Sequence, residues 1–458
     1  MNAIEQIKKK EDQIRTPNFE MIKPLLSVKR IYTNSRDVAN VNGIQLKMWD
    51  VIVAALVTRL NLFFVGEAGP GKTQISNDIM NSIFNGNALD LRGSLDINLN
   101  GLFTRMDLDK LSKMKGKTDD VTELTEKVNF NLALIDELNR CPPVLQNQFF
   151  NITDGYIEFK GKKVYLGKPG ASNYFIGIAT GNLGNGEFMG TFSIDNALRD
   201  RLHLTIDFDY YYPLPMDTLN VSMNTTDPRV KIPEKNDLIK EVVSAYEQTK
   251  VYPAGMPEFR INSSNYFDAW LTGQFLDHGI DYIDSVNIDS NNKSFAYMMS
   301  KRMIKNVYPD ILVQKGANAA GNMISFVKPF TIRGVNKTMS LAIGLAAVAS
   351  ARTGAEFKLD YNTVLEAYRL VLPYSGALTT ALIELEGNYG NPNIAADNVV
   401  KEVAKEVNKG IEASLIAIKY AAQGELKEKH ENDIPPSWEF AKQIARDINN
   451  KAIAASTK

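Results

Sequence analysis

Gly66-Glu67-Ala68-Gly69-Pro70-Gly71-Lys72-Thr73 follows the pattern G-x-x-x-x-G-K-[ST], with Gln74 next in line. The spacing suits phosphate chemistry, because the glycines let the backbone wrap closely and aim its N–H groups at phosphate oxygens. Lys72 then reaches the β- and γ-phosphates and the Thr73 hydroxyl sits on Mg2+. A helix opening at Gln74 adds its partial positive charge. A glycine turn that only caps a helix is the bland alternative. Downstream, Asp136-Glu137 closes an apolar run. In nucleoside-triphosphatases such an Asp holds Mg2+ through water and the adjacent Glu polarises the attacking water. Asn182 follows Gly181 at the end of another apolar run. Its amide is suited to hold that water or the γ-phosphate. Arg199 and Arg201 close a helical segment, where they serve either as helix-terminus cations or as groups that reach a nucleotide on a neighbouring subunit.

Such groups need rigid supports, and the surrounding patterns supply them. Residues 61–65 read as a buried strand before the glycine loop, and 74–83 as the helix after it. Residues 131–135 form a second apolar strand ending in Asp136-Glu137, and 174–180 a third ending in Gly181-Asn182. A fourth, 202–208, follows the helix that carries Arg199 and Arg201. Strand and helix patterns alternating from 41 to 208 predict an α/β domain with a mainly parallel sheet. Residues 335–372 are helical by period, with Thr363-Val364-Leu365-Glu366 fitting a capping box.

Composition narrows the setting. The chain has 458 residues, 44% hydrophobic, and a net charge of −1. That excludes wholesale disorder and gives no general basic surplus for nucleic acid. The lone Cys141 cannot form an intramolecular disulfide, which places the protein in the cytoplasm. The N-terminus lacks a signal-peptide pattern. The longest apolar stretch, 341–351, falls short of the roughly 20 residues a membrane span needs. His203, His278 and His430 are too scattered in sequence to read as a metal site.

Together the loop, the carboxylate strand, the Asn182 strand and the arginine helix resemble the AAA+ ATPases. The block Ile135-Asp136-Glu137-Leu138-Asn139-Arg140-Cys141-Pro142-Pro143, with Gln146 after it, resembles the "DEINRAPP…Q" block of the MoxR family. Cys141 stands where the family often has Ala. Ser94-Leu95-Asp96-Ile97-Asn98-Leu99-Asn100-Gly101 is similar to its "PSDITG" stretch, which marks an insert in the second helix. Residues 156–166, turning at Gly161, resemble its β-hairpin, and Phe330-Thr331-Ile332-Arg333-Gly334 its "SPR" block. The Asn182-Leu183-Gly184-Asn185-Gly186 loop departs from the family's "NP" continuation.

The resemblance implies a nucleotide-binding AAA+ core over 37–212 after a polar arm over 1–36. A connecting region with the start of the lid then spans 213–325, the helical lid with sensor 2 spans 326–375, and a helical extension spans 376–458. It implies ATP and Mg2+ as cofactors, with Val41 and Gly43 backing the adenine. ATP·Mg2+ is then held by Lys72, Thr73, Asp136 and Arg333, while Glu137 and Asn182 position the water. Arg201 comes from the next subunit of a homo-oligomeric ring, usually a hexamer. Family members remodel a partner protein in chaperone-like fashion, often one with a von Willebrand factor A domain.

Two rival functions stand beside this one. Related AAA+ branches include nucleic-acid motors, helicase-like or McrB-like, and Lys160, Lys162 and Lys163 at the hairpin, with Lys168 beyond, would suit phosphate tracking. Lysines at an exposed turn are equally common as solubilising charge. The second rival is a nucleotide-binding scaffold without turnover, against which Lys72, Glu137 and Asn182 all argue.

Overall fold

The computed structural model describes residues 19–93, 99–106, 122–167, 173–182, 192, 194–224, 229, 231–250, 264–281 and 323–456. The sequence-predicted insert residues 94–98, the loop 183–186, Lys168 and the start of the polar arm lie outside the described residues. The chain divides into two compact units. One comprises Asp12–Tyr252 and Ile343–Phe357; the other comprises Met1–Glu11, Pro253–Ala342 and Lys358–Lys458.

In chain order the strands are β1 (Asp37–Val41), β2 (Ile44–Lys47), β3 (Leu62–Val65), β4 (Leu89–Arg92), β5 (Thr104–Met106), β6 (Thr122–Leu124), β7 (Leu132–Asp136), β8 (Tyr156–Phe159), β9 (Lys162–Tyr165), β10 (Ile176–Gly181) and β11 (Leu204–Asp207). Five of them form one sheet, ordered β11-β3-β10-β7-β4, with every pairing parallel. Strands β3 and β10 are buried along their whole length, as continuous apolar runs demand when helices cover both faces. The edge strand β4 instead alternates, with Leu89 and Leu91 buried and Asp90 and Arg92 exposed. All five strands are parallel, so their carboxyl ends share one edge. The loops after β3, β7 and β10 therefore emerge together.

The hairpin expected over 156–166 is β8–β9, paired from Tyr156↔Tyr165 to Phe159↔Lys162. Lys160 and Gly161 turn it, both at positive φ. The helix Met48–Val57 in the same unit is buried throughout. Its Asp50 is 1% exposed, accepts from the Lys47 N–H at 2.9 Å, and pairs with Arg352.

The second unit is helical. Helix Pro392–Ala422 buries Val399, Val403, Val407 and Ile411, spaced by four on one face, and packs on helix Glu439–Ser456. Asn391 caps its start, accepting from the Asn393 N–H at 2.8 Å and the Ile394 N–H at 3.3 Å. Trp438 stacks on Phe275 with ring centroids 5.0 Å apart. The fold class read from the sequence is thus what the chain adopts: an α/β core around a parallel sheet, with a helical C-terminal region.

Candidate functional site

After Val65 the glycine loop turns back over the end of β3 and the helix Lys72–Ser82 begins. The turn rests on Gly69 and Gly71, at φ 106° and 104°, which L side chains rarely adopt. At Gly71 a Cβ would lie 2.4 Å from the Tyr32 ring, so only glycine lets that ring close on the loop. Lys72 Nζ donates to the carbonyl of Gly66 at 2.7 Å and to that of Glu67. Burial lowers the Lys72 pKa from its ordinary value, against the raising pull of Asp209, Asp136, Glu137 and Glu67. Lys72 is thus a partly desolvated cation among carboxylates, for which a phosphate is a natural counter-ion.

The end of β7 lies beside this loop. Thr180, at the end of β10, joins the two carboxylate residues: its hydroxyl donates to Asp136 Oδ1 and accepts from the Glu137 N–H at 2.9 Å. Glu137 is held at φ 54°, a left-handed conformation that costs a non-glycine residue on the order of 1 kcal/mol. Gly93 packs under it so closely that a Cβ would fall 2.1 Å from the Glu137 carbonyl oxygen. The Glu137 carboxylate pairs with Arg140 at 2.8 Å, both half-exposed. Asn139 donates from Nδ2 to the Asn182 carbonyl at 2.7 Å. The tail of the carboxylate block therefore fixes the Asn182 backbone.

A cavity of about 670 Å³ collects these groups. Residues 68–74, Asp136, Glu137, Thr180 and Asn182 form part of its lining. Residues 31–33, Tyr212, Asp217 and Lys231 are among those lining the rest. Of the residues singled out from sequence, Ala68 to Gln74, Asp136, Glu137 and Asn182 meet here. Gly66 and Glu67 lie at the root of the loop, where the Glu67 N–H donates to both Asp209 oxygens, 2.9 and 3.1 Å away. Val41 ends β1 and Gly43 turns it into β2; neither lines the cavity. Arg201 lies outside it too, with Nε 2.9 Å from Asp154 Oδ2 and the guanidinium over the Phe150 ring at 4.8 Å. Arg333 belongs to the other unit, in the first turn of helix Ile332–Thr353.

Reading the sequence missed Thr180, Asn139 and Asp209. Thr180 and Asn139 had a visible signal, since each sits within an element already singled out. Asp209 had none, because its contact with the loop spans 142 positions.

The donor set fits a magnesium nucleotide. The Thr73 hydroxyl and the Asp136 carboxylate, both lining the cavity, are hard oxygen donors of the kind Mg2+ takes beside phosphate. The cavity has the volume of an ordinary small-molecule site.

Residues 61–202 match the family model of the AAA domain, dynein-related subfamily. The matched segment runs from the start of β3 to the end of the arginine helix, and so contains every cavity group after β3 up to Asn182. A search of curated proteins finds no match. Among solved structures, one described as a "putative ATPase" from Cytophaga hutchinsonii aligns over 88% of this chain and 97% of that one, at 14% identity and a TM-score of 0.47. A likeness that loose has no bearing on chemistry. Among the described residues, no helix is long and apolar enough to cross a membrane.

Proposed function

We propose that this protein is a cytoplasmic, Mg2+-dependent ATP hydrolase of the MoxR type that assembles into a ring, usually a hexamer, and remodels a partner protein. The reading rests above all on one observation: Lys72, Asp136, Glu137 and Asn182 converge on one cavity at the carboxyl edge of the sheet. In it the backbone of 68–73 cradles the phosphates and Lys72 neutralises the β/γ oxygens. Thr73 and Asp136 would hold Mg2+, which supplies charge neutralisation on the transferred phosphoryl group. The Glu137 carboxylate accepts a hydrogen bond from the attacking water, and Asn182 orients that water. The domain reading goes with the proposal: 37–212 as core, 213–325 as connection, 326–375 as lid with Arg333 as sensor 2, and 376–458 as extension. Arg201 acts on a neighbour's nucleotide. To do so it must exchange its ion pair with Asp154 for the phosphate.

Lys72→Ala should abolish nucleotide binding, whereas Glu137→Gln should bind ATP and turn it over at least about a hundredfold more slowly, because its role lies in the transition state. Steady-state hydrolysis and equilibrium ATP binding read the two separately. Full activity in Glu137→Gln removes that residue from catalysis. A von Willebrand factor A-domain protein should stimulate turnover. Several-fold, salt-sensitive stimulation by DNA that disappears on replacing Lys160, Lys162 and Lys163 with alanine would instead favour the nucleic-acid motor.

A further inference from the structure

Helix Lys72–Ser82 carries more than Lys72 and Thr73. Gln74 in its first turn and Asp78 one turn later hydrogen-bond to segments that also line the cavity. Asp78 is fully buried. Its Oδ2 accepts from the N–H groups of Tyr32 at 2.7 Å and Ile31 at 3.1 Å. Its Oδ1 accepts from Gln74 Nε2 at 2.9 Å. That same Nε2 donates to the Lys231 carbonyl at 2.9 Å, while Gln74 Oε1 accepts from the Lys231 N–H at 3.0 Å. Gln74 therefore holds Lys231 through both backbone groups, and Asp78 holds Gln74 together with residues 31 and 32. Neither contact is local in sequence: they span 46 to 157 positions.

The two anchored segments line the cavity. Ile31, Tyr32, Thr33 and Lys231 all line it, as do Asp136 and Glu137. The Tyr32 ring lies against Gly71, and the Tyr32 hydroxyl accepts from Asn34 Nδ2 at 3.3 Å. Residues 31–33 and Lys231 lie outside the glycine loop, and so are available to a ribose and base once a phosphate chain sits on 68–73.

We propose that Asp78 and Gln74 are positioning residues that lock residues 31–33 and Lys231 onto the phosphate-loop helix and thereby build the nucleoside half of the site. A carboxylate suits the task better than an amide. It accepts on both oxygens, so one side chain serves two backbone donors and Gln74 at once. Burial raises its pKa, Tyr32, Gln74 and Ile31 lower it by hydrogen bonding, and Arg30 opposes the rise as a nearby cation. An asparagine keeps one acceptor for Ile31 and Tyr32 but turns a donor toward Gln74, so it frees Lys231 while leaving residues 31 and 32 held. Gln74→Met cuts the same link from the other side with little change of volume.

The inference rests on the ATP-hydrolase reading, and the test separates the two. In the full chain, KM for ATP and the inhibition constant of inorganic tripolyphosphate against hydrolysis are measured for the wild type, Asp78→Asn and Gln74→Met, with thermal melting as a check on folding. Each variant should raise KM for ATP about fivefold to tenfold, the loss of one or two hydrogen bonds. Both should keep kcat within about twofold and leave tripolyphosphate inhibition unchanged, because only the nucleoside half is loosened. An unchanged KM in a folded variant overturns the inference. So does equal weakening toward ATP and tripolyphosphate, which would place the effect in the phosphate loop itself. A wild-type chain that neither binds nor hydrolyses ATP would sink the parent reading instead.

Discussion

Thr180 is the residue through which the two carboxylates depend on each other. Its hydroxyl is shared between Asp136 Oδ1 and the Glu137 N–H. Glu137 holds a left-handed backbone conformation only because its surroundings over-determine it, Gly93 below and Thr180 beside it. Thr180→Val keeps the shape and removes both hydrogen bonds, leaving a part-buried N–H and a carboxylate oxygen short of partners. Such orphaning costs about 1–3 kcal/mol. Because the proposed function puts these groups at the reacting end, we expect kcat for ATP to drop about tenfold or more with KM nearly unchanged. Steady-state kinetics on the purified variant decides it. A rise in KM alone would mean that Thr180 serves binding and not the geometry of the attacking water.

At the scale of elements, the helices Ser264–Gln274 and Tyr361–Val371 of the helical unit meet around two carboxylates. Asp360 caps the second helix, accepting from the Thr363 N–H at 3.0 Å and its hydroxyl at 2.8 Å, and pairs with Lys358 at 2.9 Å. Burial would raise its pKa, yet the bonds from Lys358 and Thr363 outweigh that and leave it lowered. For Asp268 the balance goes the other way, although Lys358 also pulls it down. Burial first, and then the neighbouring Asp360 charge, push it up to about 7 against the N–H groups of Ala269 and Tyr361. A carboxylate whose pKa is higher folded than unfolded stabilises the fold fully only below its unfolded value near 4, and loses that contribution as pH rises through about 7. Thermal stability should therefore fall between pH 4 and pH 8. Asp268→Asn should flatten the profile, melting several degrees above the wild type at pH 8 and level with it near pH 4. Parallel profiles for the two proteins would show that Asp268 is not the titrating group.

For the molecule as a whole, the decisive question is whether one chain suffices for turnover. Arg201 does not reach the cavity of its own chain; it is held by Asp154 and stacked over Phe150. A group serving a neighbour's nucleotide makes activity a property of the assembly. Specific activity should rise with protein concentration. Mixing inactive Arg201→Ala with inactive Glu137→Gln should restore part of the turnover, since some interfaces then pair an intact Glu137 with an intact Arg201. Mixtures that co-assemble and stay silent would remove Arg201 from that role.

Much of the candidate site was legible in the sequence, because its residues fall in short runs. Residues 66–73 announce a phosphate loop through glycines needed for backbone conformation. Asp136-Glu137 and Asn182 announce themselves by closing apolar strands, since parallel strands buried on both faces must be continuously apolar. Strand and helix periods are local, so the α/β core and the helical C-terminal region followed from them. Where the cavity closes was a different kind of question. Much of its remaining lining comes from residues 31–33, Tyr212, Asp217 and Lys231, none of which forms a motif. The family resemblance pointed instead to Val41 and Gly43, which lie in the β1–β2 ribbon and do not line the cavity. The contacts that place Tyr32 and Lys231 there, Asp78 to Tyr32 and Gln74 to Lys231, join positions 46 and 157 apart. A single buried carboxylate within a helix looks from sequence like any solvated one. Only the packing of distant segments against that helix takes it out of water and gives its two oxygens partners.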